Sequence, residues 1–397
     1  MPAVKIYSDF VYWVGAIDWN IRTFHGFTYN TPRGTTYNSY LILDDKIALI
    51  DTVYTPFTND MIKRISEIIS PDKIDYIIAN HVERDHSGAL PHLMKLCPKA
   101  KIFGTAKCKE GLYKNYYSNW DFNIVKTGDK LSLGKKTLTF LEAPMLHWPD
   151  SMFTYLIEDA LLFPNDAFGQ HYGTSFRFDD EVDEAVLMSE AAKYYANILW
   201  PFSSLVTRKI DEVKKMNIPI KMIATSHGII WRKNPAKIID SYVSWAKNES
   251  KPKIVVVYET MWGSTEIMAK EIVEGIIDAG VEVKLFDITK SDRTEVIKEM
   301  LDSKGYIVGS PTHGNDILPT LAGFLEFLKG MKPKNRIGGV FGSYGWGGGA
   351  VKSIENRFKE IGIDVVLPSL SVQYVPEEKE KKLCYEYGKK IAELIKM

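Results

Sequence analysis

The sequence predicts an α/β protein of two domains. Residues 1–250 read as a strand-rich, helix-covered sandwich and residues 251–397 as a doubly wound parallel sheet. Three observations predict this. In the first part, four apolar strand-like runs each end at histidine or carboxylate residues. From Lys253 onward the pattern changes to regular alternation of apolar strands and helices. Between them lies Asn248-Glu249-Ser250-Lys251-Pro252, a short polar stretch ended by a proline, which reads as a linker. A chain of 397 residues has room for two domains of about 100–200 residues each.

Composition narrows the class. With 45% hydrophobic and 25% charged residues the chain is ordinary for a globular protein. Its 50 basic and 50 acidic residues cancel, so no global basic field favours nucleic acid or a membrane surface. Cys97, Cys108 and Cys384 are too widely spaced for a zinc ribbon, an iron–sulfur cluster or a disulfide framework. An iron–sulfur electron carrier is therefore expected as a separate protein. Neither a signal-peptide core nor an apolar run of the ~18 residues needed to cross a membrane is present, so a cytoplasmic location is expected.

The first fifty residues read as β. Val11–Gly15 is an aromatic and β-branched run, and Tyr40–Leu43 with Ile47–Ile50 reads as a hairpin around a polar turn. Residues 58–70 predict an amphipathic helix with Met61, Ile62, Ile65, Ile68 and Ile69 on one side, capped by Thr58. A helix is expected near residues 88–96, then short strands to about residue 163. Residues 181–216 read as helical, and Trp231–Ser250 as the last helix of the domain.

The stretch His81-Val82-Glu83-Arg84-Asp85-His86 carries four potential metal ligands in six residues. It follows the apolar run Ile74–Asn80, so it lies on a loop at the end of a rigid strand. Alternate residues of an extended loop face one way, which predicts that His81, Glu83 and Asp85 converge while His86 points elsewhere. A polar loop with two surface histidines is the plainer reading. Against it, His147, Asp166 and His227 each follow another apolar run. Four imidazoles and three carboxylates exceed the four ligands of a structural zinc. They suit two metals sharing one carboxylate.

In the second part, Ile254–Tyr258 is a continuous apolar strand, as in a sheet covered on both faces. Further strands are expected at Val281–Phe286, Tyr306–Gly309, Ile337–Phe341 and near Val365–Leu367. The turn after the first, Thr260-Met261-Trp262-Gly263-Ser264-Thr265, sets hydroxyls beside backbone N–H groups where a helix begins, at Glu266 by this reading. That is a phosphate site. It lacks the Gly-Lys-Ser/Thr of a nucleotide loop, so it fits a phosphate that is held and never transferred, as in FMN. Two more strand ends suit a flat ring: Pro311-Thr312-His313-Gly314-Asn315-Asp316 and Ser343-Tyr344-Gly345-Trp346-Gly347-Gly348. Trp262, Tyr344 and Trp346 could stack on or shield such a ring, or simply pack in a core.

The first domain resembles the metallo-β-lactamase fold, an αββα sandwich in which a His-x-His-x-Asp-His loop builds a dimetal site. The sequence departs from that hydrolase pattern at Glu83, where a second histidine would stand. A carboxylate there makes the site harder and favours iron over zinc. His-x-Glu-x-Asp-His with distant His, Asp and His resembles the flavodiiron proteins, or A-type flavoproteins. The likeness spans both domains, the second being flavodoxin-like. It implies FMN in the second domain and a non-haem diiron centre in the first. His81, Glu83 and His147 would hold one iron, Asp85, His86 and His227 the other, and Asp166 would bridge. It also makes His25 and Tyr194, with neighbouring Tyr195, candidates beside the substrate pocket. From sequence alone, a lone histidine is ordinarily a surface or hydrogen-bonded core residue, and the tyrosine pair reads equally as core.

The expected activity is a terminal electron sink. First place goes to reduction of dioxygen to water with electrons from reduced coenzyme F420, as in methanogen members of the family. Rubredoxin-fed reduction of nitric oxide to N2O is the alternative. A dimetal hydrolase fused to a flavin shuttle would carry zinc without iron, and a flavin sensor would not need seven ligands. A head-to-tail homodimer, or a dimer of such dimers, is expected from the short linker and the family.

Overall fold

The computed structural model describes residues 2–7 and 10–396. The chain divides into two compact units, one of Met1–Tyr194 with Ser204–Val243, the other of Tyr195–Ser203 with Ser244–Met397.

Two facing sheets build the first unit. One runs Val4–Tyr7, Val11–Trp13, Tyr40–Ile42, Ala48–Ile50, Tyr76–Ile78, Lys101–Gly104, Phe122–Ile124. The hairpin at residues 40–50 is antiparallel, and the strands from Ala48–Ile50 to Phe122–Ile124 pair in parallel. The other runs Lys130–Ser132, Thr137–Glu142, Met152–Leu156, Leu161–Phe163, Met222–Ile223. Trp13, Ile42, Ile50 and Ile78 of the first sheet meet Leu138, Phe140, Leu156 and Phe163 of the second in one buried core. Their inward alternation fixes the register, since a slip by one residue would expose this set. The result is the αββα sandwich of the metallo-β-lactamase type.

Local departures from the sequence reading have physical causes. The helix expected over 58–70 spans Thr58–Ser66, and Thr58 is not its cap. Thr55-Pro56-Phe57 already forms a 3-10 turn, and the Thr58 hydroxyl donates back to Thr55 O at 2.6 Å. A helix over Ala106–Tyr116 stands where only short strands were expected, capped by Thr105, whose hydroxyl oxygen accepts from Cys108 N. The helical stretch 181–216 is broken. Glu184–Tyr194 gives way to a π-turn over Tyr195–Leu199 and a 3-10 turn at Trp200–Phe202 before Ser203–Lys215. Pro201 cannot donate to a continuing helix. The broken piece belongs to the second unit: Trp200 Nε1 donates to Asn248 Oδ1 at 2.8 Å and Asn197 Nδ2 to Thr294 O at 3.0 Å.

The second unit is a parallel sheet in the order Glu282–Asp287, Lys251–Tyr258, Ser303–Pro311, Ile337–Tyr344 and, at the fifth position, Asp364–Val365 followed by Leu370–Gln373. This is the 2-1-3-4-5 order of the flavodoxin-like fold. Ile254, Val255, Val256 and Val257 are fully buried, as a strand covered on both faces requires. The first strand begins at Lys251, so Lys251 and Pro252 are ladder residues rather than linker. Asn248 is also held: besides Trp200, it receives Arg336 Nη1 at its carbonyl at 3.0 Å. The last helix of the preceding segment is shorter than expected, Pro235–Ala246. Among the described residues, no helix is long and apolar enough to cross a membrane. Cys97, Cys108 and Cys384 are unpaired and buried.

Candidate functional site

Four strand ends of the first unit deliver one buried cluster. His81 lies just past Tyr76–Ile78, His147 past Thr137–Glu142, Asp166 past Leu161–Phe163 and His227 past Met222–Ile223. The donor atoms form overlapping groups, within 4.8 Å inside each: His81, Glu83 and His147; Asp85, His86 and His227; and His81, His86 and Asp166. Asp166 stands between the first two. Its Oδ2 is 3.4 Å from His147 Nε2 and 3.7 Å from His81 Nε2, while its Oδ1 is 3.2 Å from His86 Nε2 and 3.3 Å from His227 Nε2. Glu83 Oε2 lies 3.3 Å from His81 Nε2 and 3.5 Å from His147 Nε2. Asp85 Oδ2 lies 3.1 Å from His227 Nε2.

The predicted alternation along the loop fails at one place. Asp85 does not converge with His81 and Glu83, and His86 does not point away. The chain turns helical over Arg84–Ser87, which ends the two-residue period and swings Asp85 and His86 together towards His227.

The tautomers show what the cluster lacks. His81 Nδ1 is bound to Asp150 Oδ2 at 3.0 Å, and that same oxygen accepts Val82 N at 2.7 Å. His227 Nδ1 reaches the Thr36 carbonyl at 2.6 Å, which can only accept. Both rings therefore keep a proton on Nδ1 and aim Nε2 at carboxylate oxygens. A lone pair facing a carboxylate requires a cation between them, a proton or a metal. In the protein without metal, protons serve. Burial works against charge on His227, but Asp166 and Asp85 outweigh it and raise the imidazole to about 10. Burial opposes charge on Asp166 too, yet the surrounding imidazoles hold it well below the usual range. Asp85 Oδ1, His86 Nε2 and Asp166 Oδ2 are buried without a hydrogen-bond partner. Seven donors, unpartnered buried atoms and a central carboxylate fit two metal ions.

His25 and Tyr194 both reach this cluster. His25 sits in the turn joining Thr23–Phe24 to Tyr29–Asn30, with Nε2 3.1 Å from Glu83 Oε1. Burial opposes its charge, but that bond and the nearby carboxylates raise its pKa. Tyr194 donates to Asp166 Oδ1 at 3.0 Å. Tyr195 does not join them; its hydroxyl pairs with Ser203 and its ring with Trp245 in the second unit. Sequence reasoning missed two residues of this cluster's surroundings. Asp150 orients His81, and its only signal was a place three residues after His147. His171 is buried beside Phe24 and His227, with Nδ1 2.7 Å from Thr35 Oγ1, and no spacing marked it.

The second unit has its own cavity, about 490 Å³, at the carboxyl ends of its strands. Thr260, Met261, Trp262, Ser264, Pro311, Thr312, His313, Gly314, Ser343, Tyr344, Gly345 and Trp346 line it. Tyr374, at the end of the fifth strand, lines it as well and was not anticipated; the rule that ligands sit at strand ends would have found it. Of the other candidates, Thr265 turns its hydroxyl inward to Ser343 Oγ at 2.9 Å. Asp316 closes the His313–Asp316 turn, its Oδ1 accepting Ile317 N at 2.7 Å. Asn315 supports the loops: a Cβ on Gly349 would lie 1.9 Å from its carbonyl oxygen. Gly347 and Gly348 sit beside Asn315 and Tyr344.

The helix Ser264–Asp278 starts here, two residues earlier than expected. Gly263, at φ 90°, makes the sharp entry, and no side chain caps the first-turn N–H groups. A phosphate fits them. Trp262 and Trp346 flank the cavity 92% and 93% exposed, a bareness that a flat aromatic ligand explains.

Comparison with known proteins agrees with the two-domain fold. A model described as the ODP family beta lactamase matches residues 35–228, and a flavodoxin model matches residues 256–388. A nitric oxide reductase of Moorella thermoacetica is 56% identical over 388 residues, 97% of either chain. The structure of rubredoxin oxygen:oxidoreductase from Desulfovibrio gigas superposes with a TM-score of 0.97 at 38% identity, covering 99% of this chain and 98% of that one. The flavodiiron protein of Giardia intestinalis superposes at 0.95 with 36% identity, over 100% and 97%.

Proposed function

We propose a reaction for this chain on the ground that it belongs to the flavodiiron protein family. It is an oxidoreductase. Its flavodoxin domain implies FMN, and its flavodiiron relatives carry a non-haem diiron centre. Our reading is that it reduces nitric oxide to N2O with electrons from a rubredoxin. The observation that carries this is the 56% identity, end to end, to a protein named nitric oxide reductase. Oxygen reduction is the second reading, favoured by the near-superposition on rubredoxin oxygen:oxidoreductase. Reduced coenzyme F420 stays in the test as a donor, although neither relative names it.

When bound, FMN and two irons together supply four electrons, enough to couple two pairs of nitric oxide molecules. The protein's own part is positioning. His81, Glu83 and His147 would hold one metal, Asp85, His86 and His227 the other, and Asp166 would share an oxygen with each. Glu83 makes the site more anionic than the His-x-His-x-Asp-His loop of a hydrolase, which suits iron. Asp150 and the Thr36 carbonyl fix His81 and His227, two of the four imidazoles that face the bridge. His25 holds a proton at Nε2 against Glu83. Phe24 and Tyr194, both buried, exclude bulk water from that side. Thr260, Ser264 and the first-turn N–H groups would hold the flavin phosphate, and Trp262 and Trp346 would cover the ring.

We also read the working form as a head-to-tail homodimer in which each flavin faces the partner's metals. The chain passes from Pro235–Ala246 to Lys251–Tyr258 through four residues, which gives no swinging arm. Mixing Asp166→Ala and Ser264→Asp protein with proven subunit exchange should then restore activity; a mixture that stays inactive would refute transfer across subunits. The reaction itself is tested by reducing the loaded protein anaerobically with rubredoxin or with F420 and adding either gas. Fast turnover with nitric oxide and N2O release is expected; oxygen consumption without N2O would overturn the reading.

A further inference from the structure

We propose that His171 donates a hydrogen bond from Nε2 to the small exogenous ligand taken up beside the two metal positions, a diatomic or linear molecule that gains negative charge there. The inference rests on the metal-pair reading above. His171 is 1% exposed, and its Nε2 has no partner. Three of the other unpartnered buried atoms among the described residues are Asp85 Oδ1, His86 Nε2 and Asp166 Oδ2, all donors of the metal cluster. His171 shares their neighbourhood but none of their groupings, so we assign its free nitrogen to a ligand other than a metal.

The neighbourhood says what that is. The His171 ring lies 5.3 Å from His227, 5.1 Å from Tyr194 and 4.4 Å from Phe24. Phe24 also touches the His25 ring at 4.7 Å. Phe24, His25, His171 and Tyr194 thus lie side by side next to the metal-ligand cluster. His25 stands beside Glu83 and His147, and its Nε2 is already taken by Glu83 at 3.1 Å. His171 stands beside His227, and its Nε2 is free.

Thr35 Oγ1 lies 2.7 Å from His171 Nδ1, a contact in which either atom can donate, and 3.4 Å from Thr36 O. We assign the tautomer in which the hydroxyl donates to Nδ1 and the neutral ring carries its own hydrogen on Nε2. A buried N–H with no acceptor costs stability unless a ligand supplies one. The ligand this donor favours is one that becomes anionic on the metals, and it discriminates against a neutral apolar molecule of the same size.

Azide, a linear anion, is the probe, added to the oxidised protein loaded with iron and FMN. His171→Phe should weaken azide binding about tenfold or more, the effect of losing one hydrogen bond to a charged acceptor. Iron and FMN content should stay unchanged, and His171→Gln, which keeps a donor, should recover part of the affinity. In the unaltered protein the stretching frequency of bound azide should shift on transfer to D2O, and the shift should shrink in His171→Phe. Equal azide affinity in His171→Phe with full iron content would overturn the proposal. So would a glutamine variant as weak as phenylalanine, or an unaltered protein whose azide band ignores D2O, a result that needs no variant to fold. A protein that takes up no iron at all would instead refute the metal-pair reading.

Discussion

The two sites are built in different ways. The metal cluster is made of side chains: seven donors, most of them buried and Glu83 and His147 partly so, each fixed by a strand end or a short helical turn, with backbone only in support. The flavin cavity adds backbone features to its aromatic and hydroxyl side chains: an uncapped helix start, a glycine at φ 90° and a loop that passes 1.9 Å from where a Gly349 Cβ would be. The difference teaches where each kind of chemistry is vulnerable. A metal is lost when one side chain changes, whereas a flavin is lost when a turn changes shape or acquires the wrong charge.

The sharpest way to break the comparison is Asp166→Ala. It removes the oxygens that face His81 and His147 on one side and His86 and His227 on the other. Iron content should fall towards zero and turnover by more than about 100-fold, with FMN retained. Full iron content by metal analysis would end the bridging assignment. Asp150→Ala comes next. It touches no metal position, yet it frees His81 to rotate and should weaken iron binding about 10–100-fold, measured by competition with a chelator. Unchanged affinity would mean that Val82 and the loop backbone alone position the imidazole.

On the flavin side the effects should be smaller. Ser264→Asp puts a carboxylate at the phosphate site and should raise the FMN dissociation constant about tenfold or more at low salt, without loss of iron. Iron loss in that variant would show that the sites are not separable. The smallest effect concerns the floor of the second unit. Lys253, buried at the start of the first strand, pairs with Glu299 at 2.6 Å and Asp302 at 2.9 Å. Burial opposes both carboxylates' charge, but Lys253 outweighs it and lowers their pKa values. Their stabilisation is therefore present above the unfolded values near 4 and lost as pH falls through the lower folded values. Lys253→Met should flatten the acid limb of the stability curve below about pH 4. An unaltered limb in acid unfolding would place the acid sensitivity elsewhere.

The same contrast explains what could be read from the sequence. The side-chain site was legible because histidines and carboxylates at four strand ends are rare by chance and chemically specific. Which way Asp85 and His86 face was not, because a single helical turn at Arg84–Ser87 replaces the extended period. His171 and Asp150 were invisible because they act through space, on Thr35 and His81, with no spacing to mark them. The flavin turns were legible from glycine, hydroxyl and aromatic residues after apolar strands. The inward turn of Thr265 and the arrival of Tyr374 depend on how the fourth and fifth strands stack. The break at Tyr195–Ser203 was missed because its residues keep a helical look while their partners, Asn248 and Thr294, lie far along the chain.

The central claim is that the metal site and the flavin site work as one electron store for nitric oxide. A single-turnover yield tests it most directly. Protein reduced anaerobically, freed of donor and mixed with excess nitric oxide should release two N2O per chain when FMN and both irons are present, and one when Ser264→Asp protein has been stripped of its weakened flavin by dialysis. Equal yields from the two proteins, or no N2O from either, would contradict the account.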